Sequence, residues 1–403
     1  MLKKSTLCAF ISAGLVLLFV TSPVLAQGIS RQEYTGLDKY LSQGRPDDFS
    51  FVGVRAAEFL TIPVGARGIA LGSAYSAVCN DISAIWWNPA GLGFLEQKEV
   101  MFTFVDYTLD LVYSYAAGAV PVLDGRLVVG GFFGHLNIPE IEITTLENPN
   151  GTGNFYKAYD FQMGGSIAYN LSDRFTSGIN LKYVHQDMLG NIGGNAFAVD
   201  AGAIYHTDLI DREIKFAFVV QNLGTNIAMD GPNLVYEAGA EDRGDNLPTG
   251  YGSYGDDPYA VSKRGTRQVK RLSHTYRLPT TVKVALAYNL YTSENLNFLA
   301  SGEIWRNSNI PMSYAFGMEL NHDFDRITSA ALRFGWKVQT DEYTESEDQS
   351  GHEYLGDDPT MRGLSFGGGL KRNLGGHYLS FNYAYRNKGR LSADNFFTIT
   401  FGF

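Results

Sequence analysis

The 403-residue sequence has very few cysteines and, after residue 26, no long apolar run. Its two cysteines are Cys8 and Cys79, and a single cysteine beyond residue 26 excludes an internal disulfide framework. No stretch of about 18 apolar residues follows residue 26, so the chain is not a bundle of membrane-spanning helices. Charged residues are scarce at 18%, and the formal net charge of -10 argues against a nucleic-acid-binding protein.

Aromatic residues and glycine, by contrast, are abundant. The chain contains 26 Phe, 24 Tyr and 45 Gly, and 45% of its residues are hydrophobic. This composition is too apolar for a disordered chain. Because the mean hydropathy is only -0.11, the composition favours many strands that each have one apolar and one polar side.

Residues 1–26 have the pattern of a cleaved signal peptide. Lys3 and Lys4 precede an apolar stretch over residues 7–20, and residues 24–26 end in Ala26, a small residue suited to a cleavage site. The alternative is a membrane-anchor helix, but the apolar run is shorter than the roughly 20 residues that such a helix needs. The sequence therefore predicts an exported protein that is periplasmic, secreted or an outer-membrane barrel.

From about residue 99 the chain repeats a run of alternating apolar and polar residues followed by a turn, which is the pattern of a strand with two different faces. In the last run Phe397, Ile399, Phe401 and Phe403 share one face. The fourteen predicted strands are 99–107, 111–120, 126–136, 159–169, 174–185, 197–206, 215–222, 278–289, 296–306, 313–321, 326–337, 362–371, 377–386 and 395–403.

The connections between these runs alternate in length. Every second connection is short, and the three very long ones, about 137–158, 223–277 and 338–361, all fall in the other set. This arrangement is typical of a transmembrane barrel with one rim of tight turns and one of long loops. A soluble β-sandwich or propeller is the alternative, but its second strand face would carry more charge. We predict an all-β protein whose residues 99–403 form a 14-stranded antiparallel transmembrane β-barrel, with both barrel ends on the periplasmic, tight-turn side.

Residues 27–98 do not alternate. Short helices are predicted at 55–60 and 81–87, the second capped by Asn80 or Asp81. Because both barrel ends lie on the same side, this segment can fold into the lumen as a hatch or plug. The alternative is a periplasmic extension outside the barrel.

The most specific motif spans residues 65–74 and 80–92. It runs from Gly65-Ala66-Arg67-Gly68 to Trp86-Trp87-Asn88-Pro89-Ala90-Gly91-Leu92. The motif resembles the N-terminal hatch of FadL-type outer-membrane barrels. The rest of the chain, including residues 278–283 and 382–385, is most similar to the PorV/PorQ family within that superfamily.

The resemblance to PorV implies an outer-membrane component of the type IX secretion system. Such a component binds exported cargo that bears a C-terminal signal domain and shuttles it to a cell-surface attachment complex. The implied partners are outer-membrane lipid, secreted cargo or other secretion-system proteins, and the barrel assembly machinery that inserts the chain. FadL proper implies the alternative function, passive transport of long-chain fatty acids or other hydrophobic compounds.

The hatch residues can also be interpreted from their chemistry. Pro89 pushes Asn88 out of the helical region, so that Asn88 can bond nearby backbone, and Gly91 permits a tight reversal. Trp86 and Trp87 offer large surfaces that would wedge the plug into the barrel. These roles are structural, with ligand contact or gating as the alternative. The candidate hatch residues are Gly65, Arg67, Gly68, Trp86, Trp87, Asn88, Pro89, Ala90 and Gly91.

Arg67 is the strongest functional candidate in the hatch. A cation in the plug can pair with carboxylates that point into the lumen, such as Glu303.

Two further surfaces are candidates for contact with other molecules. The longest loop has an acidic first part, tyrosines and then a basic part. Tyrosine among small residues makes an adaptable protein-contact surface, although the loop can equally be a solvated shield. Its candidate partner-contact residues are Tyr251, Tyr254, Tyr259, Arg264 and Arg267. The alternating terminal residues Phe397, Ile399, Phe401 and Phe403 form a candidate signal for membrane insertion.

Signals for an enzyme are weak. Residues 363–367 match G-x-S-x-G, but they fall in an alternating strand rather than the strand–turn–helix that a nucleophile needs. The seven histidines are scattered, and the acidic loop 338–361 has no EF-hand spacing. We therefore predict no catalytic, cofactor or metal site.

Overall fold

The computed structural model describes residues 55–144, 148–188, 192–209, 212–238, 267–270, 275–308, 312–339, 363–389 and 393–403. The predicted signal peptide and residues 27–54 of the predicted N-terminal extension lie outside these ranges. Among the described residues, no helix has the length and apolar character needed to cross a membrane.

Fourteen strands form a closed antiparallel barrel in which each strand pairs with its neighbours in sequence and the last pairs with the first. The predicted fold and strand number are confirmed. The strands are β1 (Glu99–Tyr107), β2 (Leu111–Val122), β3 (Leu127–Asn137), β4 (Tyr159–Ser172), β5 (Phe175–Met188), β6 (Ile192–Leu209), β7 (Arg212–Gly224), β8 (Thr281–Thr292), β9 (Leu296–Asn307), β10 (Ser313–Asp323), β11 (Thr328–Gln339), β12 (Leu364–Asn373), β13 (Tyr378–Asn387) and β14 (Ala393–Gly402).

The two faces of the wall follow the alternation in the sequence. On β14, Phe397 and Ile399 are exposed on the outer face, whereas Thr398 between them is 4% exposed and faces the lumen. At the closing seam Thr398 bonds the Thr103 hydroxyl of β1 at 3.0 Å. An apolar exterior and a polar, filled interior are the distribution expected of a barrel that lies in a bilayer.

The rims differ as the connection lengths predict. The turn-side rim carries short links such as 123–126 and 173–174, and the loop-side rim carries the long ones. Two long loops contain strand pairs that the alternation analysis did not identify. These pairs are Ile141–Glu142 with Phe155–Tyr156, Ile227–Ala228 with Thr275–Tyr276, and Val235–Ala238 with Arg267–Lys270.

Residues 55–98, here called the plug, run inside the barrel. The plug contains a 3-10 turn (Glu58–Thr61), helix α1 (Ala66–Ala70), helix α2 (Ala84–Trp87) and a second 3-10 turn (Pro89–Phe94). The helix predicted at 55–60 is wrong in its first part, because Arg55 forms a β-bridge with Arg277.

Helix α2 is shorter than the predicted 81–87. Its N-cap is Ser83 and not the predicted Asn80 or Asp81. The Asp81 carboxylate accepts hydrogen bonds from the backbone N–H and the hydroxyl of Ser83. Helix α1 was not predicted, since Gly and small residues hide its periodicity.

The plug backbone lies directly on the barrel wall at one point. Gly72 follows α1 with φ +63°, and a Cβ added to Gly335 of β11 would come within 1.9 Å of the Gly72 nitrogen. Only residues without a side chain allow the two backbones to approach this closely.

This close approach predicts the effect of Gly335→Ala. The new methyl group forces the plug away from β11 and lowers the free energy of unfolding by about 1–3 kcal/mol. Urea unfolding of the purified barrel, followed by the mobility difference between folded and unfolded forms on gels, measures the change. Gly302→Ala is the matched control, because its Cβ has no atom closer than 4.0 Å. Equal stability of the two variants would contradict the prediction.

Candidate functional site

Arg67 on α1 links the plug to the barrel wall. Its Nε and Nη2 atoms donate to the two carboxylate oxygens of Glu319 on β10 at 2.8 and 2.7 Å. Its Nη1 atom donates to Asn80 at 2.6 Å and lies 3.1 Å from the carboxylate of Asp81. This two-pronged geometry is the strongest form of ion pair that an arginine makes. The predicted partner, Glu303, is wrong, although the prediction of a lumen carboxylate is correct.

Glu319 is the centre of this ion-pair network. Its side chain is 1% exposed, and it also accepts from Nε of Arg333 on β11 at 2.5 Å. Arg333 in turn donates to the side chain of Asn382 at 2.8 Å. This buried carboxylate thus has two guanidinium partners, which together compensate for the cost of burying its charge. We call Arg67, Tyr75, Asp81, Glu319 and Arg333 the Arg67 cluster.

Asp81 keeps its negative charge inside this cluster. Burial opposes ionisation, but the Arg67 guanidinium and hydrogen bonds from Ser83 and Tyr75 outweigh it, so the pKa of Asp81 lies below its usual value. The stabilisation that this carboxylate contributes is therefore present at neutral pH. It is lost only when the pH falls below the ordinary range of an aspartate.

Glu303 binds a different part of the plug. Its carboxylate accepts from the backbone N–H groups of Tyr75 and Ser76 at 3.0 and 2.8 Å, and from the Ser76 hydroxyl at 2.8 Å. These donors occupy the carboxylate, which explains why Arg67 pairs one strand further along the wall. Glu303 and Glu319 together hold two successive segments of the plug.

Three indoles form a second contact between plug and wall. The ring centroids of Trp86 and Trp87 lie 4.7 Å apart, and Trp305 of β9 lies 5.9 Å from Trp87, each pair edge to face. The ammonium groups of Lys283 and Lys337 lie 3.9 and 3.8 Å from the Trp305 ring centroid. Cations over indole faces are attracted by the ring quadrupole, most strongly where water is excluded.

The plug glycines and Trp87 are closely packed. The Trp87 indole donates to the Val64 carbonyl at 2.6 Å, and a Cβ on Gly68 would lie 2.5 Å from its ring. Gly65 adopts φ +88° at the start of α1, beside Ser83. The two glycines of the motif thus serve packing and backbone conformation.

Asn88 and Pro89 behave as their chemistry predicts. Asn88 is extended, with φ -157°, accepts from the Ala90 N–H at 3.1 Å and donates to the Ser76 carbonyl at 2.9 Å. Ala90 is fully buried. The role predicted for Gly91 is wrong, because it lies in a 3-10 turn and a Cβ there would meet the Cys79 sulfur at 2.5 Å. Gly91 provides space rather than a tight reversal.

Wall residues also satisfy the backbone carbonyls of α2. Asn180 on β5 donates to the Ile85 carbonyl at 2.7 Å, and Gln221 on β7 donates to the Trp86 carbonyl. A helix of four residues leaves its carbonyls without internal partners, so these amides replace the missing hydrogen bonds. The plug is therefore held by its backbone as well as by its charges.

A polar cavity of about 260 Å³ lies between the plug and β10–β14 near the turn-side rim. Its walls include Arg67, Asp81 and Arg333 from the Arg67 cluster and Glu99, Lys371 and Tyr378 from the rim. Both cations and carboxylates line it, and Asp81 already has protein partners. The lining is thus suited to water rather than to an apolar solute.

The remaining sequence-predicted residues lie elsewhere. Phe397, Ile399 and Phe401 face outward on β14, and Phe403 follows them directly. Tyr251, Tyr254, Tyr259 and Arg264 lie outside the described residues, and Arg267 begins one of the paired loop strands. Ser365 of the G-x-S-x-G match is buried in β12 and bonds the Gly335 carbonyl at 3.3 Å. The described part of the chain contains no group of three metal-ligating side chains.

A comparison with protein families identifies the relationship of this chain. A family model described as the type IX secretion system protein PorV matches residues 48–255, just over half of the sequence. The chain belongs to the PorV family. Membership confirms the resemblance to the PorV/PorQ family inferred from the sequence and makes the protein an outer-membrane component of the type IX secretion system. A search of curated sequences found no match.

Several solved barrels are similar in structure. The toluene transporter TbuX of Ralstonia pickettii shares 12% identity with a TM-score of 0.47, covering 84% of this chain and 96% of its own. A FadL homologue of Pseudomonas aeruginosa shares 12% identity with a TM-score of 0.45, covering 84% and 97%. The toluene transporter TodX of Pseudomonas putida shares 9% identity with a TM-score of 0.47, covering 84% and 96%.

The Arg67 cluster predicts a large effect for Glu319→Gln. The substitution leaves two buried guanidinium groups without their carboxylate, and the free energy of unfolding falls by about 3–5 kcal/mol. The urea midpoint of the barrel in detergent, together with protease sensitivity of the plug, measures the loss.

The control for this variant is Glu140→Gln, which removes the same charge from a surface ion pair. Glu140 contacts Lys157 at 2.7 Å, but both side chains are largely exposed. Exposed pairs contribute little, so the urea midpoint of this control stays at the wild-type value. A Glu319→Gln midpoint that matches the control would show that the cluster does not hold the plug.

Proposed function

We propose that this protein binds secreted cargo bearing a C-terminal signal domain at its loop-side surface and passes it to a cell-surface attachment complex, without catalysing a reaction. The observation that carries the proposal is that the lumen is filled by an anchored plug. A barrel closed in this way offers surfaces to its partners rather than a passage.

Three independent contacts support closure of the lumen. The Arg67–Glu319 pair, the Glu303 carboxylate on the Tyr75 and Ser76 backbone, and the direct approach of Gly72 to Gly335 tie the plug to β9, β10 and β11. Each contact buries polar backbone or charge that would need new partners if the plug moved. Displacement of the plug is therefore costly, which favours partner binding outside the lumen.

The longest loop is the surface that we assign to the cargo. Two successive strand pairs, Ile227–Ala228 with Thr275–Tyr276 and Val235–Ala238 with Arg267–Lys270, join its two ends. Tyrosines with small residues form adaptable protein contacts, and arginines are frequent in such contacts. The proposed cargo contacts are Tyr251, Tyr254, Tyr259, Arg264 and Arg267.

The cavity beside the plug does not favour the alternative, FadL-like diffusion of hydrophobic solutes. Such transport needs an apolar path, whereas the cavity beside the plug is lined by Arg67, Asp81 and Arg333. We expect a deletion strain to take up radiolabelled long-chain fatty acid at the wild-type rate. A clear drop that is restored by the cloned gene would favour transport instead.

Cargo binding predicts the effect of removing the loop tyrosines. Replacing Tyr251, Tyr254 and Tyr259 together by Ala removes the main contact area. Affinity purification of the tagged variant from native outer membranes in mild detergent then recovers far less cargo than the wild type does. Mass spectrometry of the copurified proteins, scored for a shared C-terminal β domain, measures the difference.

Two controls make this experiment decisive. Tyr156→Ala alters a tyrosine of the other described loop hairpin, and its cargo recovery stays at the wild-type level. Folding of each variant is verified by its heat-modified mobility on gels. Undiminished cargo recovery by the folded triple variant would refute the loop assignment. Absence of cargo from the wild-type sample, in a host with a type IX system, would refute the proposed function itself.

A further inference from the structure

The first described residue of the plug is fixed to the loop-side rim. The Arg55 guanidinium donates through Nη1 to the Leu278 carbonyl and through Nη2 to the Ser308 carbonyl, both at 3.1 Å. Leu278 lies just before β8 begins, and Ser308 lies just after β9 ends. Both carbonyls therefore belong to the rim that carries the long loops.

The next two residues make the same connection through the backbone. The Ala56 N–H donates to the Arg277 carbonyl at 3.1 Å, within a parallel bridge between Arg55 and Arg277. The Ala57 N–H donates to the side chain of Gln186, near the loop-side end of β5, at 2.9 Å. Four hydrogen bonds thus hold this end of the plug, and two of them reach the last residues of the longest loop.

The other end of the plug lies at the opposite rim. The Asn170 amide, next to a tight turn, donates to the Gly93 carbonyl at 2.9 Å. The Lys98 carbonyl accepts from the N–H of Phe403, and Glu99 then begins β1. The plug therefore leaves the lumen at the turn side, while Arg55 stands at the loop side.

We propose that the plug is threaded through the full height of the barrel, and that Glu58, in its loop-side segment Arg55–Glu58, is exposed on the cell surface as part of one protein-binding surface with the base of the longest loop. The shared surface rests on the proposed cargo function, whereas the threading rests on the contacts that the plug makes at the two rims. Glu58 and Arg277 are exposed on this surface. A protein that binds the longest loop thus also covers Glu58.

A plug threaded in this direction cannot be withdrawn from the barrel into the periplasm. Withdrawal would break the Arg55 contacts at the loop-side rim and draw Arg55 through a lumen that Trp87 and Arg67 fill. The described part of the plug is thus held at both rims.

Cysteine labelling on intact cells tests the threading with a matched pair. Glu58 and Glu96 are exposed glutamates at the two ends of the plug. We expect a membrane-impermeant maleimide to label Glu58→Cys in intact cells and to label Glu96→Cys only after the outer membrane is permeabilised. Cys79 gives a silent background, because it is buried and burial raises the pKa of its thiol, which keeps it unreactive.

Two further variants show in the same experiment which rim of the barrel faces the cell exterior. Asn150→Cys on a loop should label in intact cells, and Asp173→Cys on a tight turn should not. If Asn150→Cys labels while Glu58→Cys labels only after permeabilisation, the threading is wrong. Should Glu58→Cys fail to fold, judged by heat-modified mobility, Thr61→Cys in the same turn replaces it with the same expected result.

Cargo binding distinguishes the two parts of the proposal. Labelling of Glu58→Cys in the purified complex with cargo should be lost, while labelling of Asp173→Cys should persist. Unchanged labelling of Glu58→Cys in that complex would overturn the shared surface. If no cargo copurifies but Glu58→Cys still labels on intact cells, the proposed function fails and the threading stands.

Discussion

Arg67 brings a permanent positive charge into a filled lumen, and the arrangement of the plug depends on how that charge is neutralised. The carboxylates of Glu319 and Asp81 pair with the Arg67 guanidinium from two sides, and Arg333 on the next strand donates to Glu319. Buried ion pairs are costly unless every partner is bonded. Such ion pairs therefore add little to the net free energy of unfolding, but removing one partner lowers that free energy strongly. The cluster acts less as a source of stability than as a constraint on where the plug lies.

The same constraint explains the rest of the contact between plug and wall. With Arg67 of α1 paired to Glu319 of β10, the backbone at Gly72 meets β11 directly, and only a glycine at position 335 leaves room for it. The indoles then fill the remaining space beside β8 and β9, where Lys283 is covered by aromatic faces. A lumen filled in this way is consistent with a PorV-family protein whose partners bind its rim and loops.

Much of the fold could be predicted from the sequence, since alternation reports the two faces of each strand directly and the connection lengths distinguish the rims. The plug was harder to predict. Its helices are too short to show periodicity, and the choice of Glu319 over Glu303 depends on which strand the plug meets. Both carboxylates point into the lumen. The sequence indicates this direction for Glu319, because Glu319 lies between the apolar residues Met318 and Leu320 in the alternating pattern of its strand. Gly335 gives no signal of its own, because its role exists only once Gly72 lies against it.

Hydrogen–deuterium exchange of the plug in native outer membranes tests the central claim, that the lumen is permanently closed, most directly. The account predicts that the amides of Tyr75 and Ser76, which donate to Glu303, and those of α1 exchange as slowly as the amides of β9 and β10. Exchange of the plug within seconds, while the strands remain protected, would contradict it, because the plug would then leave the wall readily and the barrel would be a gated passage.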